Sequence, residues 1–344
     1  MSSPEWNFRQ YMSFIYLPVI LIGIIGNMLS FYAYRGKNRK SMVAFLLYSL
    51  SLSEIILLVL ALPLFSLMWL PIWTQEESAY VISYTAKYLY PICMIAKTCS
   101  LYIMVLITVE RWVAVCRPLE IQLWSEYTTS SKSMFLIIVF AVLLNLPRFF
   151  EYSLEEHEGL PTLRPVLLNV NNWLYFYVYF IGLSIVFDYM LPFIVMFVSN
   201  ILIILELRRT NMKRSLMTTQ QQKEQNTTFM LLVVTGFFGF CHFFSMGLKI
   251  AESFAGEFLT VGNYQVEILG EMFNFLIILH TASTFFIYYI FSERFRATIK
   301  GLLNSKTVVD RGGTSTPVTY YTEKRSSLHK TLSNNTKYSR ISSA

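Results

Sequence analysis

The sequence predicts an all-α membrane protein, a bundle of seven spanning helices, and two observations carry that prediction. Seven stretches between Tyr11 and Phe291 are apolar over lengths that can cross a bilayer. Composition agrees, with 54% hydrophobic and only 14% charged residues among the 344, where a soluble domain carries roughly 25% charge. A spanning helix needs ~20 mostly apolar residues, because backbone amides in hydrocarbon must bond within their own helix.

The spans are predicted at Tyr11–Tyr34, Val43–Leu70, Tyr84–Val115, Met134–Phe149, Trp173–Leu207, Thr227–Ser253 and Val266–Phe291. The first follows residues 1–10 without a basic region before it or a small-residue cleavage site after it, so it reads as an uncleaved anchor. Its Gly26-Asn27 pair places a small and a polar residue where helices can pack closely. The second carries Glu54 in mid-span, where a carboxyl without a charge partner is protonated or ion-bound. The third ends in Glu110-Arg111-Trp112-Val113-Ala114-Val115-Cys116-Arg117-Pro118-Leu119. A buried Arg beside an acid is expensive, and such residues hold or release a neighbouring helix. The fourth is the shortest. The sixth has no proline, so any hinge in it falls to Gly236, Gly239 or Gly247, unless its swing is smaller. Beyond residues 11–291 come residues 292–301 and then a polar Ser/Thr-rich tail, 302–344, whose composition predicts disorder.

Lys and Arg gather in the loops after the odd-numbered spans and in the tail, at Arg35, Lys37, Arg39 and Lys40, at Arg111, Arg117 and Lys132, at Arg208, Arg209, Lys213, Arg214 and Lys223, and from Arg294 to Arg340. By the positive-inside rule, the amino terminus is outside and the tail inside. The net charge of +7 is then a topogenic and lipid-facing signal, which excludes a nucleic-acid partner. The opposite face is acidic, with Glu5, Glu76, Glu77, Glu151, Glu155, Glu156, Glu158, Glu252, Glu257, Glu267 and Glu271 against Arg9, Lys87, Arg148, Arg164 and Lys249. Such a field attracts a cationic ligand, although loop carboxylates also serve simply to solvate a surface.

The span count and the Glu110-Arg111-Trp112 run resemble the rhodopsin-like (class A) G-protein-coupled receptors and their Asp-Arg-Tyr motif. Gly26-Asn27 resembles the class's Gly-Asn pair, in which a buried amide bonds between helices. Thr284-Phe285-Phe286-Ile287-Tyr288 is similar to its Asn-Pro-x-x-Tyr motif with only Tyr288 kept, and Phe291-Ser292-Glu293-Arg294-Phe295-Arg296 resembles the amphipathic eighth helix that follows. Within the class, Asn145-Leu146-Pro147-Arg148-Phe149-Phe150-Glu151 and Phe240-Cys241-His242-Phe243-Phe244 resemble segments of the invertebrate FMRFamide-type neuropeptide receptors. That resemblance implies an amidated peptide ligand ending in Arg-Phe-amide, a heterotrimeric G protein, a receptor kinase and arrestin at the tail, and the plasma membrane.

One departure from the class stands out, and two ligand types are excluded. Most members staple the third helix to the second outer loop with a disulfide, yet Ala86 stands at about the helix position and 151–172 contains no Cys. Cys93, Cys99, Cys116 and Cys241 lie within or below the membrane, so the loop must be held by pairing and packing. Amine receptors use an Asp where Cys93 stands, and opsins use a seventh-helix Lys that 266–291 lacks.

An Arg-Phe-amide end needs a carboxylate for the guanidinium and an apolar slot for the ring. The candidate lining is Tyr90, Lys97, Tyr179, Asp188, His242, Lys249, Glu252, Glu271 and Asn274, with Glu252, Glu271 and Asp188 as rival partners for the Arg. Either tyrosine alone could equally be ordinary packing. The candidate switch is Glu110, Arg111, Trp112, Pro118, Leu119, Glu224 and Tyr288, with Arg111 paired to Glu224 at the foot of the sixth helix in the closed state and Leu119 inserting into the G protein or merely packing. Asn27, Glu54, Ser100, His280 and Thr284 form a polar core spaced like the class's sodium site, with a proton on Glu54 as the alternative. There is no phosphate loop, nucleophile–base pair or His/Cys/Asp ligand cluster, so the sequence predicts no enzyme, cofactor or metal. A chemosensory receptor for small molecules is the nearest alternative; a transporter would show repeats and broken helices, and none is evident.

Overall fold

The computed structural model describes residues 4–35, 42–118, 127–157, 159–167, 172–211, 219–255 and 264–304. Seven helices in it are long and apolar enough to span a membrane: Phe8–Arg35, Met42–Trp69, Glu76–Cys116, Ser131–Phe150, Ile185–Arg209, Asn226–Gly247 and Gly270–Phe291. The first span packs on the second and seventh, the third on the second, fourth and fifth, and the seventh on the sixth. The second span is the most enclosed, with 61% of its apolar window buried against 17% for the fourth. The fourth is peripheral, and Phe135, Leu136 and Leu143 point outward as lipid-facing residues do.

Gly23 and Gly26 explain how the first and seventh spans come so close. A Cβ on Gly23 would stand 2.7 Å from the Ala282 Cβ, and one on Gly26 would stand 2.8 Å from the Phe285 Cβ. Asn27, one residue on, donates its amide to the Thr281 carbonyl at 3.0 Å and is fully buried. The Gly-Asn pair therefore acts as expected, the glycine admitting the neighbouring helix and the Asn bonding to it.

Three differences from the sequence reading have local causes. The helix of the first span already begins at Pro4, and proline suits a helix start because its missing N–H would have no partner there. The third begins at Gln75, nine residues before its predicted start, because Thr74 and Glu77 form a capping box: Thr74 Oγ1 accepts from the Glu77 amide at 3.3 Å and a Glu77 oxygen accepts from the Thr74 amide at 2.9 Å. Several outer helical segments are π-wound, namely Leu62–Ser66, Thr85–Leu89, Leu174–Leu183 and Ile185–Met190. Pro63 and Pro91 lie within or just after the first two, where each removes a backbone donor.

The loop after the fourth span contains an antiparallel hairpin, β1 (Tyr152–His157) and β2 (Leu160–Pro165), with Tyr152 opposite Pro165 and His157 opposite Leu160. Gly159, at φ 78°, takes the left-handed turn position that an L side chain would resist. The short helix after the seventh span runs Glu293–Asn304, slightly longer than predicted.

Candidate functional site

At the outer end of the fourth span the sequence turns through a 3₁₀ segment, Leu146–Phe150, which carries Arg148 inward. The guanidinium is 5% exposed and lies 3.6 Å from Glu151 and 3.7 Å from Asp188, themselves 2% and 4% exposed. It also donates to Asn145 Oδ1 at 3.0 Å and to the Ser184 hydroxyl at 3.3 Å. Asn145 reaches Thr98 at 3.0 Å, Thr98 reaches Asp188 at 3.4 Å, and Tyr175 donates to Glu151 at 2.7 Å. This network ties the third, fourth and fifth spans to the root of the hairpin.

That geometry corrects the outward placement of Arg148 and Glu151. Both face into the protein, because a charge this deep persists only when paired and hydrogen-bonded. Asp188, one of the rivals for a ligand arginine, shares the single charge of Arg148 with Glu151. Tyr179 donates to the Leu144 carbonyl at 2.6 Å, one residue before Asn145. Tyr90 stands within electrostatic reach of Arg148, Glu151 and Tyr152.

Two further groups hold the rest of the predicted lining. Between the third, fifth and sixth spans, Lys97 sits 5.2 Å from the Tyr189 ring, and His242 stacks on Phe238 at 3.9 Å with its Nδ1 buried and without a hydrogen bond among the described residues. Between the first, second and seventh spans, Glu271 accepts from the Tyr16 hydroxyl at 3.3 Å and lies 3.8 Å from Arg9, whose guanidinium is stacked 4.7 Å over Trp69. Asn274 is half-buried one helical turn below Glu271. The side chains of Lys249 and Glu252 lie outside the described residues. Arg9, Trp69 and Tyr16 were not foreseen as site residues; an Arg and a Trp at neighbouring helix ends were the available signal.

Deeper, Glu54 is fully buried and accepts from Thr284 at 3.1 Å, while its other oxygen has no hydrogen-bond partner among the described residues. Among the described residues no hydrogen bond ties Ser100 or His280 to it; His280 packs instead on Phe237 and Phe238 at 5.8 and 5.0 Å. No group of three or more metal-ligating side chains occurs among the described residues. At the opposite end Arg111 makes a bidentate pair with Glu110, both bonds at 2.5 Å, and Arg117 lies over the Trp112 ring at 5.8 Å. Pro118 is exposed, Tyr288 is fully buried beside Tyr34 at 6.0 Å, and Leu119 and the Glu224 side chain lie outside the described residues.

A polar network across three spans, a bidentate Glu-Arg pair ending the third, and a Gly-Asn contact to the seventh coincide with a match of residues 26–288 to the family described as "7 transmembrane receptor (rhodopsin family)". The chain belongs to that family. As a rhodopsin-family receptor it is a multi-pass membrane protein. It is 37% identical over 305 residues to the FMRFamide peptide receptor frpr-18 of Caenorhabditis elegans, covering 86% of this chain and 70% of that one. It is 27% identical over 285 residues to the FMRFamide receptor of Drosophila melanogaster, covering 80% of this chain and half of that receptor's length. Neuromedin-U receptor 2 of Homo sapiens is more distant, at 24% over 203 residues, 57% of this chain and 48% of that one.

Proposed function

We propose that this receptor binds a short amidated peptide, of the kind that ends in Arg-Phe-amide, and passes the signal to a heterotrimeric G protein. The observation that carries the reading is the 37% identity, over 86% of the chain, to a relative named as an FMRFamide peptide receptor. The outer ends of the spans suit such a ligand: Glu271 offers a carboxylate, while Phe65 and Phe275 lie beside Tyr16 at 5.5 and 5.6 Å and offer apolar surface for a ring. Lys97 and His242 line the neighbouring inner face. At the other end, release of Arg111 from Glu110, with Glu224 as a second partner, is the switch, and Pro118-Leu119 the contact to the G protein. The amino terminus is outside and the tail in the cytoplasm of a cell bounded by the plasma membrane, a reading supported by the Lys and Arg of the inner loops. The tail's Ser/Thr content suits receptor kinases and arrestin.

Expression with a promiscuous G protein, reading calcium against amidated peptides and their free acids, tests the reading. A submicromolar response that is lost in the free acid supports it. Silence from a receptor shown to be at the cell surface overturns it in favour of a chemosensory ligand.

A further inference from the structure

We infer that Glu271, Tyr16 and Trp69 form a guanidinium-binding clamp, that Arg9 fills it in this structure, and that an incoming arginine enters by displacing Arg9. The identity of the displacing ligand rests on the peptide-receptor reading; the clamp itself does not.

The parts suit a planar cation better than an ammonium. Trp69 presents a ring face 4.7 Å from the Arg9 guanidinium carbon, and aromatic stacking favours guanidinium over a compact, strongly hydrated Lys head. Glu271 supplies the charge, and its carboxylate is only 15% exposed at the side chain. Tyr16 fixes that carboxylate. Its hydroxyl donates to the Glu271 carbonyl at 2.8 Å and lies 3.3 Å from a carboxylate oxygen, and the Tyr16 ring is buried among Ile20, Leu58 and Ile278. The clamp thus has a rigid floor and one anionic wall.

Toward Glu271 itself, Arg9 is loosely seated. Its nearest approach to Glu271 is 3.8 Å, an ion pair longer than a charge-assisted hydrogen bond, and its side chain is 29% exposed. A helix-borne Arg is limited to the reach that its backbone allows, whereas an arginine on a mobile peptide can turn to meet a carboxylate bidentately. Arg9 nonetheless competes well, because a tethered group is present at high effective concentration. Of the rival carboxylates whose side chains are described, Asp188 shares Arg148 with Glu151, whereas Glu271 faces Arg9.

Thermal unfolding of the detergent-solubilised full chain, with L-argininamide as probe and glycinamide as control, tests the clamp. Argininamide is expected to raise the melting temperature of Arg9→Ala while leaving wild type and Arg9→Ala/Glu271→Gln unmoved. A vacated Arg9→Ala receptor that ignores argininamide overturns the clamp; Arg9→Gln substitutes should the Ala variant fail to fold. In cells, at matched surface levels, Arg9→Ala should lower the half-maximal concentration of an Arg-Phe-amide peptide about three- to tenfold, the range that partly exposed ion pairs command. An unchanged or higher value overturns displacement. Wild-type silence toward every amidated peptide would refute the peptide reading instead, and the argininamide result would still decide the clamp.

Discussion

Arg148 carries one positive charge into a space holding two carboxylates, Glu151 and Asp188, and all three side chains are shielded from water. Desolvating them is costly, and their mutual attraction with the bonds to Asn145 and Ser184 offsets that cost. Deleting the guanidinium alone leaves the cost without the compensation. Arg148→Ala is therefore expected to lose ~3–5 kcal/mol of stability and most of its surface expression, read by thermal unfolding and surface labelling. Adding Asp188→Asn should recover part of the loss, since one stranded charge is then removed. A single variant that expresses and melts like wild type would refute the network's role. In the sequence, Arg148 and Asp188 were both visible as charges near helix ends, yet which charges face each other depends on rotation about the helix axes. Uniformly apolar surroundings give no periodic signal for that rotation.

At the scale of whole elements, glycines separate into those that admit a neighbour and those that merely bend. Gly23 meets Ala282 and Leu58 within 2.9 Å, whereas Gly236 in the sixth span has nothing within 4 Å of its would-be Cβ. Gly23→Val should force the first and seventh spans apart at ~1–3 kcal/mol. Gly236→Ala should stabilise the sixth helix by up to ~1 kcal/mol and, if that residue is the pivot replacing the absent proline, lower the maximal agonist response. Melting temperatures of the two variants should therefore move in opposite directions. The spans themselves were legible because ~20 apolar residues satisfy one physical requirement. The π-wound segments were not, because a run that is apolar all round looks alike at either winding; only Pro63 and Pro91 hinted at them.

Across the whole molecule, the predicted lining divides into three groups rather than one ring. Spacing along the chain gives depth in the bundle, whereas the angle around the bundle sorts Tyr90, Lys97, Tyr179, Asp188, His242 and Glu271 onto different neighbours. The missing loop disulfide was legible from cysteine positions alone. Its substitute was not, since the contacts run through backbone atoms: Lys87 Nζ donates to the Tyr152 carbonyl at 2.9 Å, Ser83 to the Pro161 carbonyl at 2.9 Å, and the Val166 amide to the Glu151 carbonyl at 2.8 Å. All four cysteines are free thiols, two of them buried. Folding of the hairpin end of the bundle therefore makes no demand on an oxidising compartment or on disulfide isomerases. Millimolar dithiothreitol, which slackens receptors stapled through sulfur, should leave both the melting temperature and the agonist response unchanged. The architecture around this hairpin is set by electrostatics and backbone pairing, independent of the redox poise of its surroundings.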